Sequence, residues 1–279
     1  MNSLVNKIAL GTVQFGLDYG ISNLNGKTSS KEVSKILDYA KKYGIDTLDT
    51  ASAYGESESV LGKHHTDHFN IVSKFINVRT PSDLKKQLNN TLLALNQDKV
   101  YGYLAHRPEE IIKNKVLWET LLNFKREKKV LKIGFSLNTL KDVEALEKEY
   151  FIPDLIQVPY NYFDYRFENY IKDLKKKYGT EIHTRSTFLQ GLFFINPEDL
   201  DQFFKPVLDE LKRLRKNKYM VSQLLQFVLN KPFIDKVVIG VNNSDQLSQN
   251  LKSIFVNCDA LTNIDIEIPE RIITPSFWP

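Results

Sequence analysis

The sequence alternates short apolar segments with amphipathic helical patterns along nearly its whole length. The tetrapeptide KKYG closes a helical pattern at residues 41–44 and again at 176–179, and an apolar segment follows each copy. Lysines in the last turn and a glycine just beyond it are typical of a helix C-terminus. Roughly eight strand-then-helix units can be counted, which is the spacing that parallel strands with right-handed crossovers require.

The individual elements follow from apolar periodicity and from helix-capping residues. We expect strands at residues 7–10, 46–51, 70–75, 100–104, 131–137, 155–161, 181–187 and 236–241. Between them we expect helices that begin at the capping-box pair Ser29 and Glu32, near Glu56, at Thr80-Pro81, at about Pro108 (ending near Lys128), at Thr139, near Tyr170, near Phe203 and at Ser244. The residues from 263 to 279 are expected to fold back over the barrel that these strands and helices would form.

These units predict an α/β protein of the (β/α)8 TIM-barrel type, with residues 1–279 forming a single domain. The alternative is an open doubly wound sheet. Its dinucleotide-binding form needs a glycine-rich fingerprint after the first strand, and Gly11, Gly16 and Gly20 do not make GxGxxG. The sequence therefore favours the barrel.

Composition excludes several other classes of protein. A net charge of +4, with basic runs that also contain acids, does not predict a nucleic-acid surface. The lone cysteine, Cys258, allows no intrachain disulfide and has no metal-ligand spacing, so we expect no metal and a reducing compartment. Without a signal-like or membrane-spanning apolar stretch, a cytoplasmic protein is expected.

Four polar residues fall at or just beyond predicted strand ends on successive units: Asp49, Tyr54, Lys74 and His106. Barrel active sites form at this end of the strands. A tyrosine with a pKa near ~10 needs ~3 units of help to release its proton readily near neutral pH. A neighbouring ammonium held by an aspartate provides such help, and a histidine can donate to a carbonyl oxygen. Singly, each residue is more often a cap, a packing wedge or a solvated charge; together they predict a general acid for a carbonyl that receives hydride.

The motifs LDTASAYG, ESESVLG, VSKF and LAHR resemble the aldo-keto reductase superfamily, and the resemblance extends from LGTVQFG to VIGVNNSDQLSQNL. It implies NAD(P)H-dependent reduction of an aldehyde or ketone, for which a sugar-derived carbonyl is one candidate. It also implies Tyr54 as general acid, Lys74 and Asp49 as the groups that tune it, and His106 as the residue that orients the carbonyl.

The same resemblance implies residues that bind the nicotinamide dinucleotide. Thr12 and Asp49 would lie near the nicotinamide ribose, Ser136 and Gln157 would hold the carboxamide, and Gly191 and Leu192 would approach the pyrophosphate. Asn250 would touch the adenine. The helix start with Asn242, Asn243 and Ser244 offers backbone N–H groups that suit an anion.

The chain departs from the family pattern at three places. Leu137 stands where many members have an asparagine, so a carboxamide contact is lost unless Asn138 replaces it. Arg185 stands where an aromatic often stacks on the nicotinamide; a guanidinium can also stack, or can reach a phosphate. Gly240 and Gln246 stand where many members place Lys and Arg near the 2′-phosphate. We expect NADP as the cofactor because the family commonly uses it, with NAD as the alternative.

Other interpretations stay open at this stage. A barrel that binds nucleotide as a regulatory subunit with little turnover is one, and a non-redox enzyme that uses Lys74 as a Schiff base is another. The aromatic run Tyr160, Tyr162, Phe163 and Tyr165 fits either a substrate pocket or ordinary packing, and Asp18 and Tyr19 are equally ambiguous. The cluster of His64, His65, Asp67 and His68 has metal-like spacing but ends a surface helix, and we expect no metal there.

Overall fold

A computed structural model describes residues 4–264 and 266–279, and within these residues eight parallel strands close into a barrel in sequence order. The strands are β1 Ile8–Gly11, β2 Thr47–Asp49, β3 Asn70–Phe75, β4 Val100–Ala105, β5 Val130–Ser136, β6 Leu155–Pro159, β7 Glu181–Arg185 and β8 Lys236–Gly240. The predicted (β/α)8 barrel is confirmed. Several strands end earlier than expected: β2, β6 and β7 each end two residues before the predicted position.

Helices surround the barrel and connect the strands. They are α1 Val13–Gly16, α2 Ser30–Lys42, α3 Ser57–Leu61, α4 Pro81–Leu95, α5 Glu109–Lys113, α6 Val116–Arg126, α7 Leu140–Lys148, α8 Glu168–Tyr178, α9 Leu208–Arg215, α10 Met220–Leu229, α11 Ser244–Ser253 and α12 Glu270–Ile273. Short 3-10 helices lie at Val5–Lys7, Leu189–Phe194, Pro197–Asp199, Gln202–Val207 and Pro275–Phe277. Of the helices in the described residues, none is long and apolar enough to cross a membrane.

The register of the parallel strands brings the ends of β1, β2 and β3 together. Gly11 pairs with Asp49, and Asp49 pairs with Val72. The carboxyl ends of parallel strands meet at one rim of a barrel, where the loops of the strand-to-helix connections gather. Asp49 and Lys74 therefore belong to the same rim.

Apolar side chains from strands and helices fill the layer between barrel and helices. The expected helical faces are buried, such as Val33, Ile36 and Ala40 of α2. The Trp118 ring of α6 stacks on Phe135 of β5, with ring centroids 5.2 Å apart. This packing fixes the strands on which the polar rim depends.

The prediction of a single helix from 108 to 128 was wrong, because the structure has two helices, α5 and α6, separated at Asn114. Asn114 has an extended backbone, its amide donates to Arg79 O over 2.9 Å, and its Oδ1 accepts from Val116 N over 3.2 Å. An asparagine that bonds locally to the backbone offers an alternative to continuing a helix.

Two predicted helix starts also need correction. The region expected to be one helix near Phe203 begins as the 3-10 segment Gln202–Val207, which contains Pro206, and becomes α9 only afterwards. The cap of α11 is Asn243, whose side chain accepts from Gln246 N, and Ser244 is the first helical residue.

Part of the C-terminal segment packs back onto the body of the protein. Ile272 of α12 is fully buried, and the Trp278 ring meets Phe204 edge-on at 5.2 Å. Thr274 lines the cavity described below. Asp265, which falls in this expected segment, lies outside the described residues.

Candidate active site

The centre of the site is a buried ion pair between neighbouring strands. Lys74 Nζ donates to Asp49 Oδ1 over 2.7 Å and to Thr50 O over 2.9 Å. The other carboxylate oxygen, Asp49 Oδ2, accepts from Gln157 Nε2 over 2.7 Å. Lys74 and Gln157 are 0% exposed and Asp49 is 3% exposed. Both oxygens of the buried carboxylate are thus bound, which such a charge requires.

The ammonium of Lys74 stays charged despite its burial. Burial disfavours the charged form and acts to lower the pKa, but the Asp49 carboxylate and the nearby Tyr54 phenol outweigh it, so the pKa of Lys74 is raised above its usual value. The site therefore contains a fixed positive charge at its base.

Tyr54 lies directly beside this charge. It follows β2 in a turn in which Tyr54 N donates to Ala51 O over 3.0 Å. Lys74 Nζ is 5.1 Å from the centroid of the Tyr54 ring, and the His106 ring meets it edge-on with centroids 5.8 Å apart. Tyr54 is half-buried and lines the cavity, so its phenol is accessible to a ligand.

His106 follows β4, where its backbone N–H donates to Phe75 O over 3.0 Å. Burial, and then the charges of Lys74, Arg185 and Arg107, lower the pKa of His106 to about 3. The imidazole is therefore neutral near physiological pH. Its Nδ1 is buried without a hydrogen-bond partner among the residues described. A neutral imidazole can donate one hydrogen bond to a ligand.

A cluster of buried hydroxyls supports the ends of β1 and β2. Thr12 Oγ1 donates to Asp49 O over 2.9 Å and lies 2.8 Å from Ser57 Oγ. Ser57 Oγ also donates to Thr12 O over 2.8 Å and lies 3.0 Å from Thr50 Oγ1. The Thr12 hydroxyl expected near a ribose is thus engaged within the protein. Sequence reasoning missed Ser57, because a serine in the first turn of a helix is too common to stand out.

A cavity of about 870 Å³ opens at this rim and extends from Asp49, Tyr54 and His106 towards the start of α11. One wall joins the β1 loop to the segment after β7, where Ile21 N donates to Gln190 O over 3.0 Å. Gly191 has a φ of 95°, and a Cβ there would lie 2.0 Å from Ser22 Oγ. Glycine is therefore required where these two loops meet. The ambiguous Tyr19 lines the cavity, and Asp18 accepts from Asn23 beside it.

The residues expected at a carboxamide, Ser136 and Gln157, pair across β5 and β6, and neither is among the described residues that line the cavity. Ser136 is 1% exposed, and Ser136 Oγ and Gln157 Oε1 are buried without partners among the described residues. A buried acceptor without a donor is costly, and an amide group would satisfy both. The expected replacement Asn138 is instead engaged by Arg185, while Leu137 is fully buried. Of the two residues expected at a pyrophosphate, Gly191 lines the cavity and Leu192 is fully buried.

Arg185 lies at the end of β7 and lines the cavity. Its Nη2 donates to Leu137 O over 2.9 Å and to Asn138 Oδ1 over 2.6 Å, and its Nη1 lies 3.4 Å from Ser186 Oγ. These acceptors are neutral, so the guanidinium adds positive charge to the cavity. An aromatic side chain would not hold this position by hydrogen bonds.

The residues expected near adenosine divide into two groups. Gly240, Asn242, Gln246 and Asn250 line the far end of the cavity. Asn243 and Ser244 instead face the protein: Asn243 Oδ1 accepts from Gln246 N over 2.8 Å, and Ser244 N donates to Glu32 Oε1 over 2.8 Å. The structure therefore brings the first group to the cavity and uses the second to begin α11.

The ambiguous aromatic run packs within the protein. Tyr160, Tyr162 and Phe163 are buried against other aromatic rings, such as Tyr160 on Phe227, and belong to the core. In the histidine cluster, His68 packs on Phe69. Within the part of the chain that the structure describes, no group of three or more His, Cys, Asp or Glu residues could hold a metal ion.

The chain matches a known protein family over most of its length. The sequence pattern of the Aldo/keto reductase family matches residues 7–267. The aldo-keto reductase YhdN of Bacillus subtilis is 23% identical over 87% of this chain and 83% of its own length. The uncharacterized oxidoreductase YqkF of the same organism is 24% identical over 94% of this chain and 95% of its own length.

Solved structures share the fold. The holo form of the aldo-keto reductase AKR11C1 from Bacillus halodurans superposes with a TM-score of 0.72 at 21% identity, covering 92% of this chain and 88% of that one. The glycerol dehydrogenase AKR11B4 from Gluconobacter oxydans gives a TM-score of 0.69 at 18% identity, with the same coverage of 92% and 88%. The barrel and the family match together lead to one conclusion: this chain belongs to the aldo/keto reductase family, a family of oxidoreductases.

Proposed function

We propose that the protein reduces an aldehyde or ketone with NADH or NADPH and that Tyr54 is the general acid. The observation that carries this proposal is the buried ammonium of Lys74, which lies between the Asp49 carboxylate and the Tyr54 ring. Asp49 holds the ammonium charged, and a charged ammonium beside a phenol stabilises the phenolate that remains after proton transfer.

The nicotinamide, when bound, would supply the hydride to the carbonyl carbon. Tyr54 would give its phenolic proton to the carbonyl oxygen, so that the product is an alcohol and the residue is left as phenolate. Lys74 would stabilise that phenolate, and neutral His106 would donate a hydrogen bond to the developing alkoxide. Since the pKa of His106 is about 3, the imidazole acts as a hydrogen-bond donor and not as a cationic acid.

The chain has groups suited to each part of the dinucleotide. Ser136 Oγ and Gln157 Oε1 would accept hydrogen bonds from the carboxamide, since both are buried without partners in the described structure. Backbone groups near Gly191 and Leu192 would approach the pyrophosphate, and Asn242, Gln246 and Asn250 would contact the adenosine end. Arg185 would lie near the nicotinamide.

A small polar carbonyl compound, such as a sugar-derived aldehyde, is the first substrate class to test. Tyr19, Asn23, Asn138 and Gln190 line the cavity and offer hydrogen bonds to hydroxyl groups. One structural neighbour is a glycerol dehydrogenase, so glyceraldehyde and dihydroxyacetone belong in the panel. The single cysteine is consistent with a reducing, cytoplasmic setting.

The test is oxidation of NADH and of NADPH by the purified protein over a panel of aldehydes and ketones. We expect turnover with at least one carbonyl, and Tyr54→Phe should lower kcat by about 10²–10⁴-fold while leaving dinucleotide affinity unchanged. Tyr219→Phe, which alters a tyrosine elsewhere in the same cavity, is the matched control and should retain activity. Normal turnover by Tyr54→Phe would show that Tyr54 is not the general acid.

The other interpretations give different results in the same assays. Tight binding of a reduced dinucleotide with no oxidation by any carbonyl would favour a regulatory subunit. Borohydride trapping of a carbonyl compound on Lys74 would favour a Schiff-base enzyme. The full burial of Lys74 and its ion pair with Asp49 argue against the second, because a Schiff-base lysine must be uncharged to attack.

A further inference from the structure

The start of α11 is the place where a 2′-phosphate would be bound if backbone N–H groups were free there. Three N–H groups at this helix start are already bonded to acceptors of this chain. Ser244 N donates to Glu32 Oε1 over 2.8 Å, Gln246 N to Asn243 Oδ1 over 2.8 Å, and Asn242 N to Gln246 Oε1 over 2.8 Å. Ser244 Oγ adds a second hydrogen bond to Glu32, over 2.7 Å.

Glu32 lies on α2, the helix that follows β1, whereas Ser244 lies on α11, the helix that follows β8. The Ser29 and Glu32 pattern predicts a reciprocal capping box, and Ser29 Oγ does accept from Glu32 N over 3.3 Å. The Glu32 carboxylate, however, points away to Ser244. A second bond between the same helices, from Tyr39 OH to Ser248 Oγ over 2.8 Å, holds α2 and α11 together.

This carboxylate is ionised at neutral pH. The Ser244 backbone N–H, and then Lys35 and the Ser244 hydroxyl, lower the pKa of Glu32 to about 2. Lys35 Nζ lies 2.9 Å from Glu32 Oε2, so its charge is directed to the protein's own carboxylate. An incoming phosphate dianion would find the N–H and hydroxyl of Ser244 already bonded to a carboxylate.

The end of the cavity next to α11 suits uncharged hydroxyls. Gln14 is 9% exposed, lines the cavity, and its Oε1 has no partner among the described residues. It lies across Gly240, where a Cβ would be 2.7 Å from Gln14 Oε1. A buried amide oxygen without a donor would accept a hydrogen bond from a ligand hydroxyl. Of the described residues that line the cavity, the cations are Arg185 and Lys218, and neither lies on α2, β8 or α11.

We propose that Glu32 makes the dinucleotide site selective for NAD(H) over NADP(H), because its carboxylate occupies the N–H and hydroxyl donors of Ser244 at the start of α11 and repels a 2′-phosphate. The inference rests on the proposed use of a nicotinamide dinucleotide. It departs from the preference for NADP expected from family habit, and the absence of Lys or Arg at Gly240 and Gln246 agrees with it.

The test measures dissociation constants of the whole protein for NADH and NADPH by fluorescence titration, without any carbonyl substrate. ADP-ribose and its 2′-phosphate are titrated by calorimetry, so that the 2′-phosphate is compared without the nicotinamide end. We expect NADH and ADP-ribose to bind at least about tenfold more tightly than their 2′-phosphorylated counterparts. An equal or tighter affinity for the phosphorylated ligands would overturn the proposal.

Variants then assign the effect to Glu32. Glu32→Gln keeps an oxygen that can accept from Ser244 but removes the charge. It should lower the ratio of the dissociation constant for NADPH to that for NADH by about tenfold. Glu32→Ala also frees the Ser244 N–H and should narrow the ratio at least as far. Thermal melts establish that both variants are folded before they are titrated.

Asp245→Asn is the matched control, because Asp245 is an exposed carboxylate in the first turn of the same helix. It should leave the ratio within about twofold of the unmodified protein, since exposed charges are screened. A ratio that is unchanged in both Glu32 variants, or that changes equally in Asp245→Asn, would overturn the assignment to Glu32. Binding of neither dinucleotide is a separate outcome, which would refute the proposed function itself.

Discussion

Lys74 Nζ lies 2.7 Å from Asp49 Oδ1, and the two side chains are buried on neighbouring strands of the barrel. Burying either charge alone would be strongly unfavourable, whereas the pair satisfies both. The pair also places a positive charge 5.1 Å from the ring centre of Tyr54. Stability and the proposed chemistry therefore depend on the same contact.

Removal of one member of this pair should destabilise the fold more than removal of both. Lys74→Met leaves an uncompensated buried carboxylate, and we expect it to lower the free energy of unfolding by about 3–5 kcal/mol. The double variant Lys74→Met with Asp49→Asn should recover part of that loss. Urea denaturation measures both; a double variant no more stable than Lys74→Met would contradict the prediction.

The charge of Asp49 should also set the alkaline limit of activity. Burial acts to lower the pKa of Lys74 and Asp49 acts to raise it, with a raised pKa as the net result. In Asp49→Asn the opposing charge is lost, so the pKa of Lys74 falls and the ammonium is lost at a lower pH. The alkaline limb of the kcat/KM profile should then move to lower pH. A limb at the same pH would show that Lys74 does not control the reaction in this range.

The strand ends explain why the central residues could be predicted from the sequence. Asp49, Lys74 and His106 follow or end clear apolar strands, and a closed parallel barrel gathers strand ends at one rim. The fold class followed from the same periodicity. These predictions needed no knowledge of side-chain contacts.

Contacts between distant segments could not be predicted in this way. Glu32 and Ser244 are 212 positions apart, and the local pattern favours a bond from Glu32 to its own helix start. Gln157 and Asp49 are 108 positions apart, so nothing in the sequence indicated that Gln157 donates a hydrogen bond to the Asp49 carboxylate. The break at Asn114 was missed because apolar periodicity continues through it.

His106 should make the protein sensitive to acid. Its pKa in the folded protein is about 3, below the ordinary ~6.5 of the unfolded chain. Below pH ~6.5 the unfolded chain binds a proton that the folded protein does not, so the free energy of unfolding falls as the pH is lowered from ~6.5 towards 3. His106→Gln should lose less stability over this window in urea titrations at several pH values.

His65→Gln is the control for that experiment, because His65 is exposed. It should follow the acid dependence of the unmodified protein. An equal loss of stability in all three proteins would mean that other groups cause the acid sensitivity.

Gly134 should be intolerant of any side chain. A Cβ at Gly134 would lie 1.7 Å from Leu155 O, and a backbone carbonyl in the adjacent strand cannot move aside easily. Gly134→Ala should cost about 3 kcal/mol or more and lower Tm by about 6–12 °C. Gly102→Ala adds the same methyl group against Val72 side-chain atoms 3.1 Å away and should cost clearly less. Equal melting temperatures for the two variants would refute this steric argument.

Arg185→Met tests what the cation at the end of β7 does. If Arg185 lies near the nicotinamide, its charge opposes binding of the oxidised ring, which is itself cationic. The neutral methionine should then strengthen binding of NAD⁺ relative to NADH by about 3–10-fold, as expected for like charges in a partly solvated site. Lys218→Met, which removes a second cation among the described residues that line the cavity, should leave this ratio unchanged. If instead both affinities stay constant and kcat/KM falls only for carbonyl compounds that carry a carboxylate or phosphate, Arg185 binds the substrate's anionic group. The two outcomes differ because a charge near the nicotinamide changes the cofactor equilibrium in the absence of substrate, whereas a substrate anchor acts only when the anionic substrate is present.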